Sequence, residues 1–444
     1  MRFVDTIKNI WKIEDLRKRI TITIALVLVY RFGCYVVLPG INPAEVDALK
    51  NFTSGGLMQL LDMFSGGAFS QASIFALGIM PYITASIVIQ LLGMVLPSFQ
   101  KMQREGESGR TKLNQYTRYL TVVILLLQGP AYLMNFQYQV HAAGGVLSFG
   151  FWTMIYLTII LAAGSMFIMW LGEKITDKGI GNGISFIILV GIIARFPGAF
   201  IEEFTNRLTT AQGGLVMFLV EIILLFAVIA GAVLLVQGTR KVPVQYAKRI
   251  VGNKQVGGVR QYIPLKVNAA NVMPIIFAQA IMFIPITLAG FGSNGQNSAF
   301  VRAFSDMSGF WYNLVYFFLI IAFTYFYTAV TVRPSDMADG LKRNNGFIPG
   351  VKPGTKTADY LDSIMSRITF PGSIFLGIVA IMPAFARICG VSQNFAQFFG
   401  GTSLLIVVGV VLDTLAQVES HLSMHHYDGL MKSGKIKGRT TGSY

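Results

Sequence analysis

The chain has 444 residues, of which 53% are hydrophobic and only 13% are charged. About a quarter of the residues in a soluble domain are charged, so this composition excludes an ordinary soluble protein and indicates a polytopic membrane protein. The formal net charge is +15. A basic face of this size favours partners that carry negative charge, such as anionic lipid, acidic protein or RNA phosphate.

Ten apolar runs are long enough to cross about 30 Å of hydrocarbon at about 1.5 Å per residue. They lie near residues 20–38, 72–96, 119–136, 151–171, 183–200, 214–237, 271–291, 310–332, 368–386 and 399–418. The predicted fold is an all-α polytopic membrane protein with ten transmembrane helices, five on each side of a long central loop. If the two halves are structurally related, the odd number of spans in each makes them inverted repeats, with a site expected at their interface.

The predicted organisation is an amphipathic N-terminal segment, two halves and a tail. These comprise residues 1–19, 20–200, 214–420 and 421–444. The first span lacks a small-residue cleavage site, so we expect a retained helix. Most of the 36 lysines and arginines fall in the two termini and in loops on the same side of the membrane, including 238–270 and 333–367. By the positive-inside rule, both termini are predicted to be cytoplasmic.

The segment between the first two spans, residues 51–73, has glycine pairs at 55–56 and 66–67. Its apolar part, LMQLLDMF, is too short to cross a bilayer and carries Asp62. Irregular backbone at membrane depth persists only inside protein or along a water-filled cavity. This pattern predicts a half-helix between hinges, either a movable stopper or a helix lying at the interface.

Isoleucines recur at helical spacing inside the spans. In the second span, LGIMPYITASIVIQLL contains Ile79 and Ile83, and the fifth span repeats the spacing with Ile184 and Ile188. Further isoleucines lie in the seventh and tenth spans, at Ile276, Ile281 and Ile406. Lipid contact or core packing is the ordinary role of such residues.

The two longest cytoplasmic loops carry their own structural signals. In residues 238–268, alternating β-branched stretches flank GNKQVGG, which predicts a small hairpin. Residues 333–367 predict a short helix followed by a tip rich in glycine and proline. Loops of this length are usually functional, so their basic tips favour docking of a large partner. Topology alone is the alternative reason for the positive charge.

Four amides stand out in or beside the spans: Gln90, Asn182, Asn271 and Gln279. An amide hydrogen-bonds a neighbouring helix without the desolvation cost of a full charge. These side chains are therefore either latches between helices that separate or ordinary contacts between packed helices.

Few residues in the sequence support a catalytic role. His421 and His425 have helical ligand spacing but lie in a polar tail without an HExxH pattern, so neither an intramembrane hydrolase nor a metal site is favoured. The acidic residues Glu221 and Asp413 lie inside spans, which keeps an ion-coupled secondary transporter with inverted repeats as the alternative function. We predict a protein that is not an enzyme and needs no cofactor.

Several motifs run in order from about residue 16 to residue 438 and identify a resemblance. They are SIFALGIMPYITASIVIQLL, QREGESGRTKLNQYTRY, DKGIGNGIS, QYAKR, IPLKVN, NGFIPGVKPG and FGGTSLLIVVGVVLD. The chain resembles the SecY/Sec61-alpha family of protein-conducting channels. The resemblance implies two five-span halves around an hourglass pore in the bacterial cytoplasmic membrane. Unfolded secretory polypeptides pass through such a pore, and apolar segments leave sideways into lipid.

The resemblance also implies roles for particular residues. The implied pore ring comprises Ile79, Ile83, Ile184, Ile188, Ile276, Ile281 and Ile406. The plug, at about residues 60–71, includes Leu61, Asp62, Met63, Phe64, Ser65, Gly66 and Gly67. The lateral gate lies between the second and seventh spans, with the polar candidates Gln90, Asn182, Asn271 and Gln279. Proline and glycine at 78–81 then mark the break between plug and span.

Partners follow from the same resemblance. They are SecE, SecG, the SecA ATPase, a translating ribosome contacted partly through its RNA, signal sequences, nascent polypeptides and anionic lipids. The implied docking residues are Arg240, Lys241, Lys248, Arg249, Lys342, Arg343 and Lys352. Lys352 departs from the family, which most often has arginine there. Lysine keeps the charge but loses the planar fork that binds carboxylate or phosphate through two bonds.

Overall fold

The computed structural model describes residues 11, 13–41, 62–142, 149–209, 214–246, 249–251, 254–256, 260–270, 272–290 and 309–432. The described chain is mostly α-helical and divides into two compact units. Unit 1 comprises Met1–Arg195 and Val410–Tyr444, and unit 2 comprises Phe196–Gly409.

The helices of unit 1 follow one another in chain order. They are α1 (Glu14–Cys34), α2 (Met80–Val95), α3 (Pro97–Arg104), α4 (Glu107–Ala142), α5 (Phe151–Lys178) and the first part of α6 (Gly183–Thr209). One apolar core of this unit is built from α4, α5 and the irregular segments that flank residues 42–61, with Leu38, Phe69, Leu133 and Leu157 among its buried side chains. The segment before the second span is therefore an integral part of the core.

Unit 2 contains the remaining membrane helices and all the named strands. Its helices are α7 (Gly214–Gln237), α8 (Met273–Gly290), α9 (Phe310–Thr331), α10 (Pro334–Arg343), α11 (Thr355–Ile388) and the short α12 (Gln393–Ala396). The last helix, α13 (Gly401–Lys432), is divided between the two units.

A helix covers each of the ten predicted spans, although several boundaries differ. Seven helices in the described part of the chain are long and apolar enough to cross a membrane, and the count is eight if the sharply bent pair formed by α2 and α3 is one span. Helix α1 falls outside this set, and its first six residues include the charged Glu14, Asp15, Arg17, Lys18 and Arg19. The result is an all-α polytopic membrane protein with a small accessory sheet.

The predicted start of the second span, near residue 72, is wrong. Residues 65–79 form a series of turns, and α2 begins at Met80 with Pro81 in its first turn. Gly78 has a φ of +56°, which a helix cannot continue through. The predicted break at residues 78–81 is confirmed. Conversely, α4, α11 and α13 extend beyond the predicted membrane spans.

The predicted hairpin in the 238–268 loop is confirmed. Strand β1 (Thr239–Tyr246) pairs antiparallel with β4 (Arg260–Lys266), with Val242 opposite Ile263. The tip carries β2 (Arg249–Val251) and β3 (Lys254–Val256), which pair with each other. The short helix expected in the 333–367 loop is α10, and the following β5 (Gly346–Phe347) adds to the free edge of β1.

The two loops share a single core as well as a sheet. Its buried residues are Val242, Val244, Leu265, Leu341, Ile348, Leu361, Ile364 and Met365. Alternation along β1 turns its valines inward and leaves its charged residues exposed. Because α11 contributes three of the buried side chains, this sheet is joined rigidly to a membrane helix.

Candidate functional site

Residues 62–71, here called the plug segment, form a tight structure held by their own side chains. Asp62 accepts a hydrogen bond from the Ser70 amide through Oδ1 at 2.7 Å, and its carbonyl accepts one from the Gly67 amide at 2.8 Å. The Ser65 hydroxyl donates to the Asp62 carbonyl and accepts from the Phe69 amide. The segment between 62 and 70 therefore keeps a defined shape without forming a long helix.

The plug segment is attached to α1 through polar groups on one turn of that helix. The Tyr30 hydroxyl donates to the Ser65 carbonyl at 3.2 Å, and Arg31 Nη1 donates to the Gly66 carbonyl at 2.9 Å. Further along, the Tyr132 hydroxyl of α4 donates to the Phe69 carbonyl at 3.0 Å. Side chains on α1 and α4 thus bind backbone carbonyls that the irregular segment leaves free.

Helix α6 contacts the plug segment from a further direction. A Cβ atom placed on Gly191 would lie 3.3 Å from Gly66 Cα and from the Phe64 carbonyl oxygen, so only glycine allows this approach without a shift. Gly66 has a φ of +69°, which favours glycine there too. One helical turn beyond Gly191, Arg195 Nη1 pairs with Asp62 Oδ2 at 2.5 Å.

Predicted ring isoleucines from two parts of unit 1 lie close to the plug segment. Ile79 directly follows Gly78, and a Cβ atom placed on Gly78 would lie 3.3 Å from Ser65 Cβ. Ile188 precedes Gly191 by about one turn, and Gly191 lies against Gly66. Both isoleucines are buried, at 2% and 6% exposure. Two consecutive residues of the plug segment, Ser65 and Gly66, therefore lie against the turn that precedes α2 and against α6.

The other ring candidates have mixed environments. Ile83 and Ile184 are half-buried, and Ile184 lies beside Gly172 of α5. In unit 2, Ile406 is buried, Ile276 is half-buried and Ile281 is exposed. Their closure into one ring stays a prediction.

Five of the predicted plug residues after Asp62 are described, and four of them are buried: Met63, Phe64, Ser65 and Gly66, with Gly67 half-buried. Leu61 lies outside the described residues, as does most of the predicted half-helix.

The gate amides have local partners where the structure describes them. Gln90 Nε2 donates to Ser86 Oγ on the previous turn of α2 at 3.3 Å. Asn182 Oδ1 accepts from the Ile184 and Ser185 amides and so caps the start of α6. Asparagine directly before a helix is a preferred N-cap, a signal that the sequence reading missed. Gln279 is half-buried in α8, and Asn271 lies outside the described residues.

The predicted docking residues gather on the accessory sheet and its neighbours. Arg240 and Lys241 are exposed on β1, Lys342 and Arg343 are exposed at the end of α10, and Lys352 is exposed just before α11. Arg249 belongs to β2, while Lys248 lies outside the described residues. The pairing of β1 with β5 therefore unites positive charges from two separate loops in one folded body.

Unit 2 contains a buried charge cluster that was not predicted from the sequence. Arg207 Nε binds Glu203 Oε1 at 2.8 Å, and its Nη2 binds Glu221 Oε1 at 2.5 Å and the Gly390 carbonyl at 2.7 Å. Glu203 Oε2 accepts the Ser392 amide at 2.8 Å. Glu221, a candidate for ion coupling, is thus bound to a cation of its own chain. Asp413 is exposed on α13.

Comparison with known proteins gives concordant matches over almost the whole chain. A family model described as SecY matches residues 73–415. The protein translocase subunit SecY of Streptomyces galbus is 42% identical over 433 residues, which cover 95% of this chain and 98% of that relative.

Solved structures share the fold at low sequence identity. One concerns a SecY plug domain that stabilises the closed state of the translocation channel and maintains a membrane seal; it aligns with a TM-score of 0.64 and 19% identity over 91% of this chain and 92% of that chain. Sec61 in the canine ribosome–channel complex from the endoplasmic reticulum aligns with a TM-score of 0.57 and 17% identity, with the same coverage of both chains.

Proposed function

The chain belongs to the SecY family of protein translocation channels of the bacterial membrane, and on that premise we propose that residues 62–71 are the described part of the plug of its pore. One observation carries the proposal. Ser65 and Gly66 lie against Gly78 and Gly191, which neighbour the isoleucines Ile79 and Ile188. A segment in this place closes the pore beside its apolar constriction and opens it by moving away.

The proposed constriction is a ring of isoleucine side chains from both units. Branched apolar groups offer a passing polypeptide no hydrogen bonds, so its sequence matters little for passage. A narrow apolar neck also loses its water readily and then resists ion flow. Plug and ring together give a closed state that blocks ions and an open state that tolerates varied clients.

Opening is proposed to follow from the binding of a signal sequence at a lateral gate formed by α2 and α8. An apolar helix bound there replaces contacts between the two gate helices and stabilises the open state by its higher affinity for it. Gln90 on α2 is the leading polar contact, with Asn182, Asn271 and Gln279 as further candidates. Apolar segments of the client leave through the same gate into lipid.

The basic accessory sheet is the proposed docking surface for the partner that drives transport. We assign Arg240, Lys241, Lys342, Arg343 and Lys352 to it, on the cytoplasmic side together with both termini. SecA or a translating ribosome supplies the energy, because the sequence has no nucleotide-binding motif and we propose no catalytic role for the chain. SecE, SecG and anionic lipid complete the proposed assembly.

Disulfide crosslinking to a stalled client tests the proposal. Single variants Ile83→Cys, Ile188→Cys and Ile406→Cys are prepared in a Cys389→Ser background, and a secretory chain with one cysteine is halted in the complex. We expect crosslinks at all three positions. Ile223→Cys is the matched control, because Ile223 is 59% exposed on the outside of α7. Crosslinks at Ile223 with none at the three ring positions would refute the proposed path.

A further inference from the structure

The carboxylate of Asp62 performs two separate tasks with its two oxygens. Oδ1 accepts the Ser70 amide and so stabilises the plug segment itself. Oδ2 pairs with Arg195 of α6 and so joins the segment to its surroundings. Asp62 is almost fully buried, with 1% of its side chain exposed, whereas Arg195 keeps 33% exposed. A substitution at Arg195 therefore removes the ion pair with α6 and leaves the hydrogen bond from the Ser70 amide to Asp62 in place.

Arg195 lies on the same face of α6 as the proposed ring residues. Ile184, Ile188, Gly191 and Arg195 are separated by four, three and four residues, which places them within about 60° of one another around a helix that turns about 100° per residue. Gly191 touches the backbone of the plug segment and Arg195 binds its acid. One helical stripe thus carries the apolar constriction and the polar attachment of the plug.

The ion pair makes departure of the plug segment costly. While the segment is in place, the buried negative charge has a cation and a backbone amide as partners. When it leaves, the pair separates, and the attraction between the two charges, which is stronger around the buried Asp62 than in water, is lost. Water that reaches the freed carboxylate offsets part of this loss. The contacts from Tyr30 and Arg31 end on neutral backbone carbonyls and lack this attraction between opposite charges.

We propose that the Asp62–Arg195 ion pair is a latch that sets how strong a signal sequence must be to open the channel. This inference rests on the proposed function, because it requires that residues 62–71 move as the plug. A signal sequence opens the pore only if its gate affinity exceeds the cost of separating the pair. Weak or defective signals fail, which makes Arg195 a specificity-determining residue far from the signal itself.

Reconstituted complexes with their partner subunits test the latch by two readouts, resting ion leak and translocation of a client with a defective signal sequence. For Arg195→Gln we expect about a tenfold rise in leak, equivalent to about 1.4 kcal/mol, and transport of the defective client. The charge-conserving variant Arg195→Lys is expected to retain most of the closure. Arg118→Gln is the matched control, since it breaks an ion pair of similar length between α4 and α5, far from the plug segment in the sequence.

Two outcomes would overturn the latch: an Arg195→Gln leak equal to that of Arg118→Gln, or an Arg195→Lys variant that leaks as much as Arg195→Gln. A double variant separates this failure from that of the proposed function. Asp62→Cys/Arg195→Cys in a Cys389→Ser background is joined by a short bis-maleimide linker, and joining is expected to suppress the leak and block translocation. Normal translocation through the joined protein would show that residues 62–71 need not move, which overturns the plug assignment and the latch with it.

Discussion

Among individual residues, the isoleucines of the proposed ring differ in how deeply their side chains are buried. Ile79 and Ile188 are buried beside the plug segment, whereas Ile83 is half-buried at the start of α2. Its amide hydrogen-bonds the Ile79 carbonyl at 3.1 Å, so the first turn of α2 fixes the spacing of this pair. A partly exposed isoleucine at that place suits a surface that a polypeptide passes.

Replacing Ile83 with serine is expected to weaken the seal. Burying an isoleucine side chain is worth about 1.5–3 kcal/mol, and a serine also holds water in the constriction. If half of that energy favours the closed state, resting ion conductance rises by about tenfold in reconstituted complexes. Ile223→Ser on the exposed side of α7 is the control and leaves conductance unchanged. Equal conductance in both variants would count against a ring at Ile83.

Between helices and strands, two clusters connect elements that are distant in sequence. The accessory sheet joins the 238–268 and 333–367 loops through β1 and β5 and packs on α11, so its basic surface is connected directly to a membrane helix. The second cluster joins α6, α7 and the turn after α11 through Arg207. Buried charges are tolerated there because each carboxylate has the guanidinium as a partner.

Arg207→Met is expected to destabilise unit 2. It leaves Glu203 and Glu221 buried without their cation, a loss of about 3–5 kcal/mol. Glu221→Gln is expected to destabilise unit 2 less, because Arg207 still pairs with Glu203, and to leave translocation intact. Thermal unfolding of the purified protein and client transport measure the two effects. Transport abolished by Glu221→Gln in a stably folded protein would instead favour the ion-coupled transporter.

For the chain as a whole, the distribution of lysines and arginines predicts how the protein is oriented in the membrane and on which side its partners bind. The exposed lysines and arginines of the accessory sheet belong to the two loops that the positive-inside rule places in the cytoplasm. Cys389 is exposed at the opposite end of α11 from Lys352, and a membrane-spanning helix between them separates the two sides. The formal charge of +15 is therefore predicted to act as a one-sided basic surface.

Cysteine labelling of intact cells tests this orientation. A membrane-impermeant maleimide is expected to label the native Cys389 from outside. Lys352→Cys in a Cys389→Ser background should react only after the membrane is permeabilised, because its loop is predicted to be cytoplasmic. The buried Cys34 serves as an internal control and stays unlabelled in both samples. Labelling of Lys352→Cys in intact cells would reverse the predicted topology.

The sequence by itself determined the membrane class, the approximate spans, the helix break at residues 78–81 and the hairpin of the 238–268 loop. These features depend on local apolarity, glycine and proline geometry and two-residue alternation, all of which can be read along the chain. The N-cap of α6 at Asn182 was equally local and could have been predicted. The extensions of α4 and α11 were missed because their amphipathic turns lie outside the apolar runs.

Which groups distant in the sequence contact one another depends on the tertiary structure. Asp62 and Arg195 are isolated charges in the sequence, and Arg207 and Glu221 are 14 residues apart, so no spacing rule predicts either pair. The same holds for β5, two residues long, whose addition to β1 depends on a core shared with α10 and α11. A charge pair or a short edge strand is stable only where packing removes water and holds both partners in place, and that depends on contacts between elements rather than on neighbours in the chain.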